Sequence, residues 1–452
     1  MSDDRKQMHL GLFVAANGHH AGGWRHPDAD FGSPTDPDYY KRIATQAERA
    51  KLDMLFIADG LSIKAVHAGS YEQSVTYRPS FTAEPLTLIG ALSAVTERIG
   101  LAATASTTYH EPYHVARMFA TLDHLSKGRA AWNAVTSTSD DEARNFGKSA
   151  HLEHGTRYER ADEFIEVVKK LWDSWEDEAV HADKESGVFS DAAKVHAARH
   201  KGAWFDVAGP LNVARTPQGH PVLIQAGSSE TFRETAARHA ELIFTAQPNL
   251  GSAQAFYADV KARAVRHGRS QASLRILPGL MPIVGSTEKE AKEKRDYLDS
   301  LIHPHAGLAF MSGSMNYDLS QHPLDGPFPD IEDRIRGSRG RFAFVFRKAK
   351  EEGLTLAEVG RWYAASRSHS IVVGTPDSIA DTLAAWFRER GSDGFNLMAP
   401  YMSAGLDDIL QLVVPELQNR GLFRADYAGK TLREHFGLER PANAYAKARQ
   451  PV

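Results

Sequence analysis

Residues 85–135, PLTLIGALSAVTERIGLAATASTTYHEPYHVARMFATLDHLSKGRAAWNAV, alternate between two patterns of apolar residues. Pro85–Glu97 and Val115–Ser126 repeat apolar residues at helical spacing, which predicts amphipathic helices. Ile99–Thr104 and Ala130–Val135 are short runs with few charges, as expected of buried parallel strands. This order of helix, strand, helix and strand predicts parallel strands joined by helical crossovers.

The same alternation continues in both directions from this stretch. Further strand-like runs are Leu10–Ala15, Met54–Ala58, Pro221–Ala226, Leu242–Ala246, Ile276–Val284 and Gly394–Ala399. Further helical patterns are Asp38–Lys51, Arg157–Trp175, Thr231–His239, Ala253–His267, Lys289–Leu301 and Leu406–Arg420. Strand and helix therefore alternate about eight times, which favours a closed (β/α)8 TIM barrel over an open doubly wound sheet.

The domain organisation predicted from this pattern is a single barrel over residues 1–452. A chain of 452 residues could hold two or three ordinary domains, but barrels with insertions also reach this length. Two segments rich in Gly, Pro, His and Asp, at about 176–220 and 303–370, interrupt the alternation and are interpreted as insertions after strands four and seven. A C-terminal tail follows from about residue 421.

Composition excludes several classes of site and partner. The net charge is -4, with Lys and Arg interspersed among Asp and Glu, so no surface for nucleic acid or anionic membrane is predicted. The absence of cysteine excludes disulfides, thiolate nucleophiles and zinc-thiolate sites. The N-terminus lacks the regions of a signal peptide, and no apolar stretch is long enough to cross a bilayer, so we expect a cytoplasmic protein.

Polar residues collect where the predicted strands end. Asn17–His20 follow the first strand, Asp59 the second, Ser106–Thr108 the third, Thr136–Ser137 the fourth and Gly227–Ser229 the fifth. Because the carboxyl ends of parallel barrel strands share one face, we expect these groups to converge there. No nucleophile elbow, Walker A loop or Rossmann glycine motif is present in the sequence.

Two of these groups have both a ligand-binding and a purely structural interpretation. The hydroxyls and backbone N–H groups of Ser228 and Ser229, at the start of a predicted helix, suit a phosphate, but an ordinary N-cap explains them equally well. His154 and Tyr158, four residues apart on one helix, could bind the same anion or simply pack together. Both interpretations stay open on the residues alone.

The remaining strand-end residues are equally ambiguous. Asp59 could accept a hydrogen bond from a ligand N–H or cap the next loop. Thr104 and Asn133 could contact a flat ligand or belong to the core. By location, His20 and Arg25 are candidate catalytic residues, as is His19.

Histidine pairs at 19 and 20, 196 and 200, and 303 and 305 lack the acidic partner of a zinc-binding helix, so no metal site is predicted. A solvated helix is the interpretation for residues 196–200.

Ten sequence blocks together resemble one family. They are GGWRHP, FIADG, EPLTLIGALSAVTERIGLAATASTTYHEPYHVAR, TLDHLSKGRAAWNAVTS, LEHGTRYERADEF, LWDSW, PVLIQAGSS, VVGTP, DGFNLMAP and VVPELQNRGLFRADYAGKTLREHFGL. The chain resembles the bacterial luciferase-like flavin monooxygenase superfamily. The resemblance is to the branch with nitrilotriacetate monooxygenase component A, dibenzothiophene sulfone monooxygenase and long-chain alkane monooxygenase, and it extends from residue 9 to 438.

The resemblance implies a two-component monooxygenase. Reduced FMN, FMNH2, would come from a separate NAD(P)H:FMN reductase, and with O2 would form a C4a-(hydro)peroxyflavin that oxygenates a small, xenobiotic-like or sulfur- or nitrogen-containing substrate. Such enzymes usually form homodimers or homotetramers. Two alternatives use the same barrel: a deazaflavin F420-dependent oxidoreductase, and a non-catalytic flavin-binding protein.

The resemblance also assigns residues to FMN. Asp59 and Thr104 would contact the flavin and Asn133 the ring or ribityl chain. His154, Tyr158, Ser228 and Ser229 would hold the phosphate. Alkane-oxygenating members carry a histidine directly after the VTS block, where this chain has Thr138. This departure argues against an alkane substrate and against an acid/base histidine at that position.

Overall fold

The computed structural model describes residues 7–30, 35–80 and 82–447. Its strands are β1 His9–Val14, β2 Met54–Ile57, β3 Gly100–Ser106, β4 Ala130–Val135, β5 His200–Lys201, β6 Asp206–Val207, β7 Val222–Ala226, β8 Leu242–Thr245, β9 Arg275–Val284, β10 Ser370–Gly374 and β11 Gly394–Met398.

The helices fall into three groups along the chain. The first group precedes β5 and comprises α1 Pro37–Arg49, α2 Glu72–Thr76, α3 Pro85–Ser93, α4 Pro112–Leu125, α5 Asp140–Asn145 and α6 His154–Trp172. The second comprises α7 Glu230–His239, α8 Leu250–Arg266, α9 Glu288–Ser300, α10 Pro304–Met315, α11 Arg339–Glu352 and α12 Leu356–Ser366. The third comprises α13 Pro376–Arg388, α14 Ala404–Asp408, α15 Val414–Asn419, α16 Leu432–Phe436 and α17 Ala444–Lys447.

Eight parallel strands close into a barrel in the order β1, β2, β3, β4, β7, β8, β9 and β11, with β11 paired again to β1. Each predicted strand run corresponds to one of them, so the predicted (β/α)8 TIM barrel is confirmed. Strand β9 is long enough for Leu280 to pair with Leu397 of β11 and also with Ser370 of β10, a ninth strand that the sequence pattern did not reveal.

Aromatic side chains fill the upper part of the barrel interior. Phe13 of β1, Phe56 of β2 and Phe244 of β8 meet with ring centroids 5.1 to 5.3 Å apart. The interior also contains smaller or more flexible apolar side chains: Met54, Ala102, Ala131, Ile224, Leu277, Met281 and Met398. The barrel is therefore a packed core, and a ligand can enter only above these rings.

The C-terminal tail seals the amino-terminal end of the barrel. Leu432 and Phe436 of α16 are fully buried in the same interior cluster, and the Leu432 N–H donates to the Gly128 carbonyl at 2.9 Å. Gly100, at the start of β3, has no room for a side chain, since a Cβ there would lie 2.2 Å from a Leu432 methyl. Burying this apolar helix closes the end opposite to the strand-end loops.

Two long segments leave the barrel between its strands. The segment after α6 contains the small antiparallel pair β5–β6, and the segment after α9 contains α10, α11 and α12, which share an apolar cluster of their own. The interpretation of residues 196–200 as a solvated helix is wrong. His196 lies in a loop against Glu176 at 2.6 Å, and His200 lies in β5 against Glu163 at 3.0 Å.

Within the described ranges, no group of three or more His, Asp or Glu side chains is arranged to hold a metal ion. Among the helices of the described part, none combines the length and apolar composition needed to span a bilayer.

Candidate active site

A cavity of about 670 Å³ opens at the carboxyl rim of the barrel. Its walls include Asp59 after β2, Thr136–Thr138 after β4, Gly227–Ser229 after β7 and Ala246–Pro248 after β8. Gly337, Ser338, Gly340 and Arg341, around the start of α11, form a further part of the wall. The strand-end residues converge here because parallel strands deliver their carboxyl ends to the same rim.

The loop of Ser228 and Ser229 lies at one end of this cavity. The Ser229 Oγ accepts a hydrogen bond from the Phe232 N–H at 3.3 Å and so caps α7. Gly227 is required by the tight turn, since a Cβ would lie 2.7 Å from the Phe232 ring. The N-cap interpretation therefore holds for Ser229, and the same turn also exposes Ser228 and Ser229 to the cavity.

A second helix begins against the same loop. At Gly340, in the first turn of α11, a Cβ would lie 2.8 Å from the Ser228 Oγ and 3.2 Å from the Ser229 nitrogen. The N-cap residue of α11, Ser338, makes no hydrogen bond from its side chain to the first turn of the helix. Two helix N-termini thus meet at one end of the cavity. Both present backbone N–H groups and the positive ends of their dipoles, an arrangement that favours a bound anion.

His154 and Tyr158 stand on the first turns of α6 and also line the cavity. Their ring centroids are 5.0 Å apart. Burial raises the pKa of Tyr158, although the charge of Arg157 and side-chain hydrogen bonds with Ser229 and Thr136 oppose that rise. Tyr158 is therefore a neutral phenol at physiological pH, able to donate a hydrogen bond to an anion beside Ser229.

Two arginines that the sequence analysis did not select lie beside this anion-favouring end. Arg157 donates to the Ser137 carbonyl at 2.7 Å, and Arg233 donates to the Ser228 carbonyl at 3.1 Å while its other nitrogen lies 3.1 Å from Asp259. Both line the cavity. The only available signal was the position of Arg157 between His154 and Tyr158 in the block LEHGTRYERADEF.

Asp59 lies on another part of the wall with a single internal hydrogen bond, from the Gly60 N–H at 2.8 Å to its Oδ1. Burial raises the pKa of Asp59 to about 6; that bond and Lys64 lower it, and the nearby Glu84 and Glu142 raise it further. A ligand N–H directed at this carboxylate would relieve the cost of its burial.

Thr104 and Asn133 do not reach the cavity wall. The Asn133 Nδ2 donates to the Thr104 Oγ1 at 2.8 Å, and the Thr104 hydroxyl donates to the Ile57 carbonyl at 2.9 Å. Alternation along β4 places Asn133 on the same face as Ala131, which lies in the barrel interior. The Asn133 Oδ1 is buried and has no hydrogen-bond partner within the described ranges, so a polar acceptor remains available below the rim.

The histidines after β1 and Arg25 lie outside the cavity lining. The His20 Nδ1 accepts from the Gly22 N–H at 3.2 Å, so its Nε2 carries the proton that is donated to Asp299 at 2.9 Å. Arg25 is exposed and donates to the Leu301 carbonyl at 2.7 Å. His19 is buried, and desolvation lowers its pKa to about 3. His20 and Arg25 thus connect the β1 loop to the end of α9.

Comparison with known proteins gives full-length matches. Residues 8–394 match the family model described as luciferase-like monooxygenase. The chain is 49% identical over 449 residues to N-acetyl-S-(2-succino)cysteine monooxygenase of Bacillus subtilis, with 99% of this chain and 100% of that protein covered. It is 46% identical over 450 residues to nitrilotriacetate monooxygenase component A of Aminobacter aminovorans, with 98% and 99% covered.

The chain belongs to the luciferase-like monooxygenase family. Among solved structures, riboflavin lyase RcaE with modified FMN and riboflavin has a TM-score of 0.88 at 32% identity, covering 98% of this chain and 100% of that one. The predicted family and the predicted enzyme class, a flavin-dependent monooxygenase, are confirmed. In this luciferase-like barrel, five of the seven residues predicted to bind the cofactor line the rim cavity: Asp59, His154, Tyr158, Ser228 and Ser229.

Titration of Asp59 predicts a pH-dependent difference in stability between the wild type and Asp59→Asn. The folded-state pKa of about 6 lies above the unfolded value, so Asp59 binds its proton more tightly when the protein is folded. As the pH rises from about 4 to about 6, the unfolding free energy of the wild type should therefore fall relative to that of the variant. After allowance for solvent screening, we expect a change of about 1–2 kcal/mol.

Urea unfolding of both proteins at pH 4 and pH 7 measures this difference. Asp325→Asn, which removes an exposed carboxyl outside the cavity, is the control and should leave the pH profile of stability unchanged. A stability difference between wild type and Asp59→Asn that is the same at both pH values would contradict the raised pKa of Asp59 in the folded protein.

Proposed function

We propose that this protein is the oxygenase component of a two-component system. It would take reduced FMN from a separate NAD(P)H:FMN reductase and use O2 to oxygenate a small organic substrate. The observation that carries the proposal is the meeting of the α7 and α11 N-termini at the Ser228–Ser229 loop, inside a cavity at the barrel rim. A phosphate-bearing cofactor fits this feature, because dipoles, N–H groups and hydroxyls all favour an anion there.

The remaining polar groups fit the rest of FMN. The phosphate would be held by Ser228, Ser229 and Tyr158, with His154 beside them. The carboxyl of Asp59, in the cavity wall, would accept a hydrogen bond from a ring N–H, and the buried, unpartnered Oδ1 of Asn133 would offer a further acceptor. When bound, reduced FMN supplies the electrons for activating O2.

The protein's own contribution is binding, orientation and exclusion of water. Ser314, Arg341 and Phe344 from the segment after α9 also line the cavity, so this segment covers part of the rim. An enclosed site protects a reactive oxygen species from water and holds the substrate near it. The Phe13, Phe56 and Phe244 cluster keeps the same species from reaching the barrel interior.

The names of two relatives suggest a class of substrate. N-acetyl-S-(2-succino)cysteine contains a thioether sulfur, and nitrilotriacetate contains an amine nitrogen. We therefore propose a substrate containing sulfur or nitrogen. That the enzyme acts in the cytoplasm as a homodimer or homotetramer stays a prediction.

Turnover in a reconstituted system tests this function. The protein is incubated with FMN, a generic flavin reductase, NADH and O2, together with thioether and amine substrates. The expected result is an oxygenated product that requires all four components and carries label from ¹⁸O2. Absence of any such product, combined with no binding of FMNH2 in an anaerobic titration, would contradict the proposal. Tight binding of reduced F420 in place of FMNH2 would favour the deazaflavin alternative.

Replacement of Ser229 by aspartate separates phosphate binding from helix capping. Aspartate is as good an N-cap as serine, so α7 should remain folded. Its added negative charge should repel the phosphate and weaken FMN binding by about tenfold or more, which corresponds to roughly 1.4 kcal/mol. Fluorescence titration with FMN measures the affinity.

Ser270→Asp is the matched control for this variant. Ser270 also caps a helical turn, through the Ala272 N–H, but it lies outside the cavity, so FMN affinity should stay within about twofold of wild type. If Ser229→Asp binds FMN as tightly as this control does, Ser229 does not contact the phosphate.

A further inference from the structure

A second cavity, of about 240 Å³, lies among the segments that follow β1 and β2. Its walls include the apolar side chains of Trp24, Ile63 and Val75. Of its lining residues in the described part of the chain, Arg78 alone carries a charge. A guanidinium group in a small, mainly apolar cavity is stabilised by a counter-charge or by hydrogen-bond partners.

Arg78 shares an aromatic ring with a second arginine. The guanidinium carbons of Arg78 and Arg367 lie 4.3 and 4.4 Å from the centroid of Phe310. Phe310 belongs to α10, Arg367 is the C-cap of α12, and Arg78 follows α2, so three separate segments meet here. The cation–π contacts hold two like charges near the same ring in spite of their mutual repulsion.

A third arginine extends this cluster. Arg341 of α11 donates to the hydroxyls of Ser314, at 3.2 Å, and Tyr363, at 3.3 Å. The positive charges of Arg341 and Arg78 both repel the positive charge of Arg367. We refer to Arg78, Arg341 and Arg367 as the arginine cluster.

The arginine cluster has no counter-charge of its own. Over residues 7–30, 35–80 and 82–447, none of its three members lies within ion-pair distance of an Asp or Glu. Burial lowers the pKa of Arg367 to about 9, with repulsion from Arg78 and Arg341 adding to the effect, and burial lowers the pKa of Arg78 to about 10. Arg78 and Arg367 therefore remain cationic at neutral pH.

Three other buried arginines of this chain are compensated. Arg215 pairs with Asp173, and Arg433 pairs with Glu241 at 2.6 Å. Arg129 donates to four backbone carbonyls and to one threonine hydroxyl. Buried Arg157, at the anion-favouring end of the rim cavity, has no carboxylate partner within the described ranges and donates to the Ser137 carbonyl. The arginine cluster is a second place where an external anion would supply the missing charge.

The arginine cluster adjoins the larger rim cavity. Arg341 lines that cavity, as do Ser368 and His369, which directly follow Arg367. Arg78 faces the smaller cavity. An anion bound between Arg78 and Arg367 would thus lie where the two cavities approach each other, and it would be distinct from the phosphate that we assign to the Ser228–Ser229 loop.

We propose that the arginine cluster is a carboxylate-binding subsite, and that the substrate is a small molecule with two or more carboxylates. Guanidinium groups bind carboxylates through paired N–H donors, and three of them suit more than one carboxylate. The inference rests on the proposed function in one respect: the sulfur or nitrogen to be oxygenated would face the rim cavity while its carboxylates are held by the cluster.

Calorimetric titration tests the subsite directly. The probes are N-acetyl-S-(2-succino)cysteine and tricarballylate, each compared with its fully esterified methyl ester, and each titrated with and without FMN. We expect at least one of the acids to bind and its ester to bind at least tenfold more weakly. Equal binding of acid and ester, or no binding of either acid, would overturn the proposal.

Substitutions in the arginine cluster test where the acid binds. Arg78→Gln and Arg367→Gln should each weaken binding of the acid by about tenfold or more. Arg78→Lys should retain more of the wild-type affinity because lysine keeps the positive charge. Arg361→Gln, which removes an exposed arginine from α12, is the matched control and should bind like wild type. Wild-type affinity in both glutamine variants would show that the acid binds elsewhere.

FMN affinity, measured on the same samples, separates the two proposals. In Arg78→Gln and Arg367→Gln the FMN dissociation constant should stay within about twofold of wild type, which also shows that the variants are folded. If the acids bind in an arginine-dependent manner but FMN does not bind, the carboxylate subsite stands and the proposed function fails. If FMN binds and turnover occurs only with uncharged substrates, the subsite fails and the proposed function stands.

Discussion

Closure of eight parallel strands is the constraint on which the rest of the structure depends. Because every barrel ladder is parallel, the carboxyl ends of all eight strands reach one rim, and the loops that follow them must meet there. Phe13, Phe56 and Phe244 block the interior below that rim, and Leu432 and Phe436 seal the opposite end. A binding cavity can therefore form only between the strand ends and the segments that cover them.

Charge divides this cavity into distinct regions. At one end, two helix N-termini together with Arg157 and Arg233 favour an anion. On another side, Arg341 and Arg367 mark the arginine cluster, which approaches from the segment after α9. Asp59 contributes the opposite sign of charge on the wall. A cofactor with an anionic tail and a ring N–H, together with an anionic substrate, matches this division.

The sequence was sufficient to predict those features that follow from local pattern. Apolar periodicity located the eight barrel strands. Position at a strand end or helix start made Asp59, Tyr158 and the serine loop candidates, and the family resemblance assigned them to the cofactor. The arginine cluster could not be predicted in this way, because Arg341 and Arg367 lie in a long segment whose path over the rim depends on tertiary packing. β10 escaped detection for a related reason: it pairs only with the extended upper part of β9.

A crystal structure of the protein soaked with FMN under reducing, anaerobic conditions tests the central claim most directly. If the rim cavity is the cofactor site, the phosphate lies between Ser228, Ser229 and Tyr158, next to the first turn of α11, with the ring above the Phe13, Phe56 and Phe244 cluster. Flavin bound at a different surface, or a rim cavity that stays closed and without flavin, would contradict it.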